Sequence, residues 1–275
     1  MPELPEVQSV VDELSVRLRG RTFTAGAELP WPPTVAYPAP EDFAARLAHR
    51  AVLGTRRRAK YIIIDLGGGT ILMAHLRMTG HIHFTAPEEP PDRHLRARLP
   101  LDDGTELRFA DMRKFGRLYL GTEDELAAVT PLAKLGPEPL DADFTAELLG
   151  TRLSGRHGPI KPVLLDQTVL AGLGNIYVDE ALFRAGIAPR RAADALSEAD
   201  LAALREAIVA TLSEALERGG TSFRDYLSVA GNRGGNMPNL RVFRRDGEPC
   251  PRCGLTLERT VLAGRGTHWC RGCQT

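Results

Sequence analysis

All four cysteines of this 275-residue chain lie in its last 26 residues, as Cys250-Pro251-Arg252-Cys253 and Cys270-Arg271-Gly272-Cys273, sixteen residues apart. Two Cys-x-x-Cys knuckles at that separation can close four thiolates around one Zn²⁺. Gly254 and Gly272 give the knuckles the turns they need. Two disulfides are the alternative. The start of the chain, Met1-Pro2-Glu3-Leu4-Pro5-Glu6, is acidic and proline-punctuated, unlike a secretory signal, and a reducing compartment keeps thiols free. The expected ligands are therefore Cys250, Cys253, Cys270 and Cys273 on one structural Zn²⁺. With every position filled by protein, that ion has no open site for catalysis.

A formal net charge of zero hides an uneven distribution. All but four of the 35 basic residues are arginine, the exceptions being Lys60, Lys114, Lys134 and Lys161. Residues 50–60 hold five bases and no acid, and residues 224–275 hold nine arginines against four acids, whereas 118–150 holds seven acids and one base. Arginine favours bidentate contact with phosphate, so this segregation points to one basic face. The length fits one large domain or two ordinary ones, and no apolar run approaches the ~18 residues of a membrane span.

Helical spacing over 6–19, with Val7, Val10, Val11, Leu14 and Leu18 on one face, is closed by Gly20. From 51 to 120 the pattern is strand-like. Residues 59–66 and 70–76 flank Gly67-Gly68-Gly69 as a hairpin, 96–101 and 106–109 flank Asp102-Asp103-Gly104 as another, and 116–121 adds a strand. Leu135-Gly136-Pro137-Glu138-Pro139-Leu140 is a proline-broken connector, after which the period turns helical over 160–170, 178–185 and 197–218. Ser197 is the expected N-cap of the last of these.

Pro2 adds a chemical signal. Removal of Met1 would expose a secondary amine, and an α-amino group titrates near ~8, so an appreciable fraction is nucleophilic at neutral pH. A helix starting just beyond it disfavours the ammonium further, and Glu3 adjoins it as a proton carrier.

Pro2-Glu3-Leu4-Pro5-Glu6-Val7, the Gly174-Asn175-Ile176-Tyr177 turn and the four-cysteine finger, in that order, resemble the bacterial formamidopyrimidine-DNA glycosylase family. The resemblance runs from residue 2 to 275 and includes Arg58-Ala59-Lys60-Tyr61, His75-Leu76-Arg77-Met78-Thr79-Gly80, Asp111-Met112-Arg113-Lys114-Phe115-Gly116 and Ile160-Lys161-Pro162. It implies an α+β protein: a β-sandwich with a flanking helix over 2–132, a linker over 133–140, a helix–two-turn–helix domain over 141–240 and a zinc β-hairpin finger over 241–275, with DNA crossing the cleft between them. The implied activity is that of a monomeric, cytoplasmic base-excision-repair glycosylase and abasic-site lyase that removes oxidised purines such as 8-oxoguanine and formamidopyrimidines, nucleoid-associated on damaged double-stranded DNA, with no membrane partner.

The resemblance also assigns roles. Pro2 is the nucleophile at C1′ of the damaged nucleotide and Glu3 handles protons at the sugar. Lys60 assists β-elimination, and Arg265 engages phosphate and assists δ-elimination. Met78, Arg113 and Phe115 match side chains that fill the space of an extruded nucleotide. His75, His94, Arg156, Lys161 and Asn175 match DNA contacts. Five places depart from the common pattern: Gln8 for Glu, Arg77 for Gly, Leu95-Arg96 after His94 for Asp-His, Met112 for Pro and Lys114 for Arg. They blur the expected lesion and opposite-base preference. An endonuclease VIII-type enzyme for oxidised pyrimidines is the nearest rival. A non-catalytic zinc-ribbon DNA-binding protein explains Arg and Cys but not Pro2-Glu3. An N-terminal-proline tautomerase explains Pro2 but neither the knuckles nor the arginines.

Overall fold

The computed structural model describes residues 1–223 and 226–275. Arg224 and Asp225, the first two members of the arginine-rich 224–275 stretch, lie outside the described residues. The chain packs as two compact units, residues 1–134 with 218–235, and residues 135–217 with 236–275.

The first unit opens with helix α1 (Leu4–Leu18), two residues earlier than the apolar spacing indicates. The capping box explains the early start: Glu3 N–H donates to Glu6 Oε2 at 2.7 Å while the Glu3 carboxylate caps the third helical N–H. Pro5 is tolerated because its position needs no amide donor. Strand β1 (Val35–Tyr37) and helix α2 (Pro40–Leu47) follow, then β2 (Val52–Arg58), β3 (Tyr61–Leu66), β4 (Thr70–His75), β5 (Gly80–Thr85), β6 (Leu95–Pro100), β7 (Glu106–Asp111) and β8 (Arg117–Thr122), and helix α3 (Glu123–Val129). Both expected hairpins form, as β3–β4 and β6–β7.

The strands make a five-stranded sheet in the order β1-β8-β4-β3-β2 and a three-stranded sheet in the order β5-β7-β6. One apolar cluster joins them: Ile62, Ile64, Leu72 and Leu120 of the first sheet meet Ile82, Leu99 and Phe109 of the second, and Val7, Val11 and Leu14 of α1 complete it. Burying each such side chain contributes roughly 1.5–3 kcal/mol, which makes this shared core the main force holding the sandwich.

Residues 218–235 fold with this unit and not with the helical domain expected over 141–240. The reason is a buried carboxylate. Glu6 Oε1 accepts from Thr221 N at 2.7 Å, and its main-chain oxygen accepts from the Tyr226 hydroxyl at 3.2 Å. Glu13 Oε2 accepts from Ala230 N at 2.8 Å.

The second unit contains α4 (Ala146–Leu153), α5 (Ile160–Leu165), α6 (Asn175–Ala185) and α7 (Glu198–Glu217), then the hairpin β9 (Glu258–Leu262) and β10 (Arg265–Trp269). Helix α5 ends five residues before the apolar pattern does, because Asp166 Oδ1 takes the N–H and hydroxyl of Thr168 into a turn. Tight turns over 166–174 lead into α6, the helix–two-turn–helix arrangement. Ser197 caps α7 as expected: its Oγ accepts from Asp200 N at 3.2 Å, and Asp200 Oδ2 accepts from Ser197 N at 2.9 Å. The finger shares its small core with α6 through Phe183, Val242 and Leu257. Among the described residues no helix is long and apolar enough to cross a membrane.

Candidate active site

Strand register gathers most of the expected site of the first unit at one end of the sandwich. Arg58 pairs with Tyr61, Tyr61 with His75, and His75 with Arg117. The turn Ala59-Lys60, the turn after His75 and the turn before Arg117 therefore emerge side by side. They carry Lys60, Met78, and Arg113 with Phe115. Helix α1 runs to the same end: Thr55 Oγ1 donates to Val11 O at 3.3 Å and Arg57 Nε to Gln8 Oε1 at 2.9 Å, so lower helix numbers lie beside higher β2 numbers. Its start, Pro2-Glu3, thus lies toward Lys60. Pro2, Glu3 and Lys60 are all buried.

These turns are conformationally strained. Ala59, Arg77 and Lys114 hold φ of 51°, 56° and 62°, left-handed values that cost a non-glycine residue roughly 1–3 kcal/mol. Each sits next to an expected site residue. The strain is held in place by polar contacts that sequence spacing alone does not reveal. Arg57 Nη1 donates to Ala59 O at 3.0 Å, so Gln8 braces the Lys60 turn through Arg57. Fully buried Asp111 clamps the other two turns together. Its Oδ1 accepts from the Thr79 hydroxyl and from Arg113 N, and its Oδ2 accepts from Gly116 N at 2.7 Å. Glycine is required at both edges of the clamp. A Cβ on Gly80 would sit 2.4 Å from Leu76 O, and one on Gly116 would sit 2.4 Å from Phe109 Cζ.

Met78 and Phe115 are 38% and 48% exposed, so these apolar side chains project outward. The Arg113 guanidinium lies 4.8 Å from the Phe115 ring centroid. His75 is buried edge-on against Tyr61. Burial, with Arg77 and Lys60 nearby, pushes its pKa down to about 3. Its Nδ1 accepts from Arg77 N at 3.0 Å, which leaves a neutral ring whose Nε2–H is the available donor. His94 is half-buried, and its carbonyl accepts from Asp111 N at 2.9 Å.

In the second unit Arg265 opens β10 beside a two-residue turn, Ala263-Gly264, with φ of 46° and 74°. Arg265 is exposed at this hairpin tip, and Arg156 is a surface residue paired with Asp166 at 3.2 Å. Lys161 is different. Expected on the DNA path, it is 0% exposed, with Nζ 2.7 Å from Asp179 Oδ1 and donating to Gly266 O at 2.8 Å. Asn175 stands at the first position of α6, not in the turn before it, and its Nδ2 reaches the same Gly266 O at 3.2 Å. Asp179 Oδ2 accepts from His268 N at 2.9 Å. The chain therefore uses Lys161, Asn175 and Asp179 to seat the hairpin that presents Arg265. Asp179 carries no motif and reads in the sequence as an ordinary helical acid.

Breaking a buried ion pair from one side strands a charge and costs about 3–5 kcal/mol. Lys161→Met should lose that much in denaturant unfolding, and Lys161→Met with Asp179→Leu should recover a large part. Wild-type stability with a DNA-binding salt slope reduced by about one would return Lys161 to the phosphate contacts.

The four cysteine sulfurs lie within 4.8 Å of one another, with Cys250–Cys273 at 3.8 Å and Cys253–Cys270 at 3.5 Å. A disulfide needs ~2.05 Å. Tetrahedral thiolates at ~2.3 Å from zinc lie roughly 3.8 Å apart, so the donor set fits Zn²⁺. Burial opposes ionisation of Cys250, but backbone N–H groups of Arg252 and Cys253 prevail and bring its pKa down to about 7.

Three family models match in chain order: the formamidopyrimidine-DNA glycosylase N-terminal domain over 1–118, its H2TH domain over 135–226, and a zinc finger found in FPG and IleRS over 247–275. The chain belongs to the formamidopyrimidine-DNA glycosylase family. It is 48% identical over 274 residues to a formamidopyrimidine-DNA glycosylase of Roseiflexus sp., covering all of both chains. It is similar to a Lactococcus lactis Fpg variant solved with Fapy-dG-containing DNA (TM-score 0.92, 36% identity, 99% of each chain). The wild-type Lactococcus lactis protein, solved with DNA containing an oxidised pyrimidine, matches with a TM-score of 0.91 at 36% identity over 99% of each chain. Gln8 accepts from Arg57 without carrying a charge, and Arg77 takes up a left-handed conformation that ordinarily favours glycine.

Proposed function

We propose that this chain is a bifunctional DNA glycosylase and abasic-site lyase of base excision repair, acting on oxidised purines such as 8-oxoguanine and formamidopyrimidines. One observation carries this reading: strand register and helix α1 bring Pro2-Glu3, Lys60 and the Met78/Arg113/Phe115 turns to the same end of one sandwich. After removal of Met1, the Pro2 nitrogen attacks C1′ of the damaged nucleotide. The N-glycosidic bond breaks, the base leaves with a proton, and the opened sugar remains as an iminium on Pro2. Buried Glu3, fixed as the helix cap, supplies and accepts protons at the sugar. Lys60 assists β-elimination, and Arg265, paired with phosphate, assists δ-elimination. Cys250, Cys253, Cys270 and Cys273 hold the structural zinc. The protein works as a monomer in the bacterial cytoplasm, where its DNA substrate lies.

Excision from duplexes bearing one oxidised purine or one oxidised pyrimidine tests the substrate class. Faster excision of the purine is expected. Preference for the pyrimidine would favour the endonuclease VIII-type reading, which the Lactococcus lactis complex with an oxidised pyrimidine keeps in view. Binding without any cleavage would leave only a zinc-ribbon DNA-binding protein.

A second test separates extrusion from chemistry. Phe115→Ala should slow excision of a paired lesion by one or two orders of magnitude, since flipping costs a few kcal/mol at roughly 1.4 kcal/mol per tenfold. Cleavage of a preformed abasic site should suffer much less. Equal loss on both substrates with a lower melting temperature would make Phe115 a packing residue.

A further inference from the structure

The chain leading into β1 carries a cluster that the reaction above does not use. Val35 pairs in parallel with Leu118, so the residues before β1 lie beside those before β8, which form the turn carrying Arg113 and Phe115. Trp31 stands there on a stiff support. Glu28 and Arg98 exchange backbone hydrogen bonds of 3.0 and 2.9 Å at one foot. At the other, Pro32 and Pro33 open a single 3-10 turn closed by Thr34 N to Trp31 O at 3.1 Å, and Thr34 is fully buried. The indole itself is only partly buried.

Two cations lie over it. Lys114 Nζ is 5.5 Å and the Arg117 guanidinium 5.9 Å from the ring centroid. Arg117 Nη1 also donates to Lys114 O at 2.9 Å and to Gly116 O at 2.8 Å, which ties both cations to the turn that bears Phe115. Lys114 occupies its place at the cost of a left-handed backbone. Solvated cation–π contacts stabilise a fold only weakly. Packing therefore gives little reason for a strained lysine, an arginine and a partly exposed indole to be held together on so rigid a mount. A nucleic-acid backbone gives all three a partner: phosphates for the cations, and a sugar for the indole face.

We infer that Trp31, Lys114 and Arg117 form a backbone-binding platform for the DNA strand beside the Phe115 turn, with Trp31 packed on a deoxyribose and the two cations on neighbouring phosphates. This rests on the DNA-directed reading above and adds contacts independent of base identity.

The test uses full-length protein and a lesion-free duplex. Trp31→Ala should bind about tenfold more weakly, near the low end of what stacking an aromatic side chain on a base contributes, with an unchanged salt slope. Lys114→Met should lower the salt slope by about one. The chain has two tryptophans, and the other, Trp269, is buried. Titration with duplex should change the intrinsic fluorescence of the wild type, and Trp31→Phe should lose most of that change. Wild-type affinity in Trp31→Ala, an unaltered slope in Lys114→Met, or the same fluorescence response in Trp31→Phe would overturn the platform. So would affinity losses that merely follow a loss of folded protein in thermal unfolding. Lesion excision by the wild type separates the two readings: excision with a silent Trp31 overturns the platform alone, and no excision overturns the glycosylase.

Discussion

Protein whose terminus is blocked ahead of Pro2 should excise oxidised purines at least about three orders of magnitude more slowly than processed protein. While Met1 remains, the Pro2 nitrogen is an amide without a basic lone pair and cannot form the iminium, and the Lys60 amine at the same end of the sandwich sits on a different turn and is assigned to the later elimination. Losing a covalent nucleophile typically costs this much or more, about 4 kcal/mol or above. Borohydride reduction on lesion DNA should cross-link processed protein through Pro2, and intact mass should show Met1 absent from the active fraction. Pro2→Gly keeps a primary amine and should retain part of the activity. Efficient trapping of blocked protein, with the cross-link mapped to another residue, would remove Pro2 from the reaction. DNA affinity should change little with the block, because Phe115, Arg113 and Arg265 are untouched by it.

The second large effect is expected from the metal. The finger's own apolar cluster consists of Val242, Leu257, Cys250 and Cys270 with Cys273 against it, packed on Phe183 of α6. So little apolar surface cannot hold a hairpin alone, and the ion's binding free energy is largely folding free energy for such segments. Chelation, or Cys250→Ala, should therefore release β9 and β10 and with them Arg265. A guanidinium–phosphate hydrogen bond is worth about 1.5–3 kcal/mol, so duplex affinity should fall by roughly one to two orders of magnitude. The product pattern is more telling than the affinity. Loss of Arg265 should leave β-elimination products and deplete δ-elimination products, while circular dichroism of the sandwich strands persists. One zinc per chain by elemental analysis should accompany full activity. Active protein prepared without zinc and with an unchanged product ratio would make the cysteines dispensable.

The two buried networks differ in how far a sequence reveals them. Lys60 and Lys161 both sit in motifs shared with the family, yet the first lies on a strained turn next to the start of α1 and the second is sealed beneath the finger hairpin. Nothing in Ile160-Lys161-Pro162 distinguishes an ammonium that meets phosphate from one that meets Asp179. Asp111 and Asp179 illustrate the converse. Each looks like a surface acid, and each organises a site residue that lies elsewhere in the chain. Trp31 has no motif at all, and only parallel pairing of β1 with β8 brings it to Lys114 and Arg117.

Local chemistry determined what the sequence by itself could determine. Thiolates at two Cys-x-x-Cys spacings meet one metal because a knuckle closes within four residues. The Ser197 cap and the β3–β4 and β6–β7 hairpins likewise depend on neighbours a few residues apart. The tertiary structure decided which distant segments share an end of the sandwich, which cations stay at the surface, and that residues 218–235 return to α1 through Glu6. Those outcomes depend on strand register and on burying charges only beside partners, and both are set by the whole core rather than by any one stretch of chain.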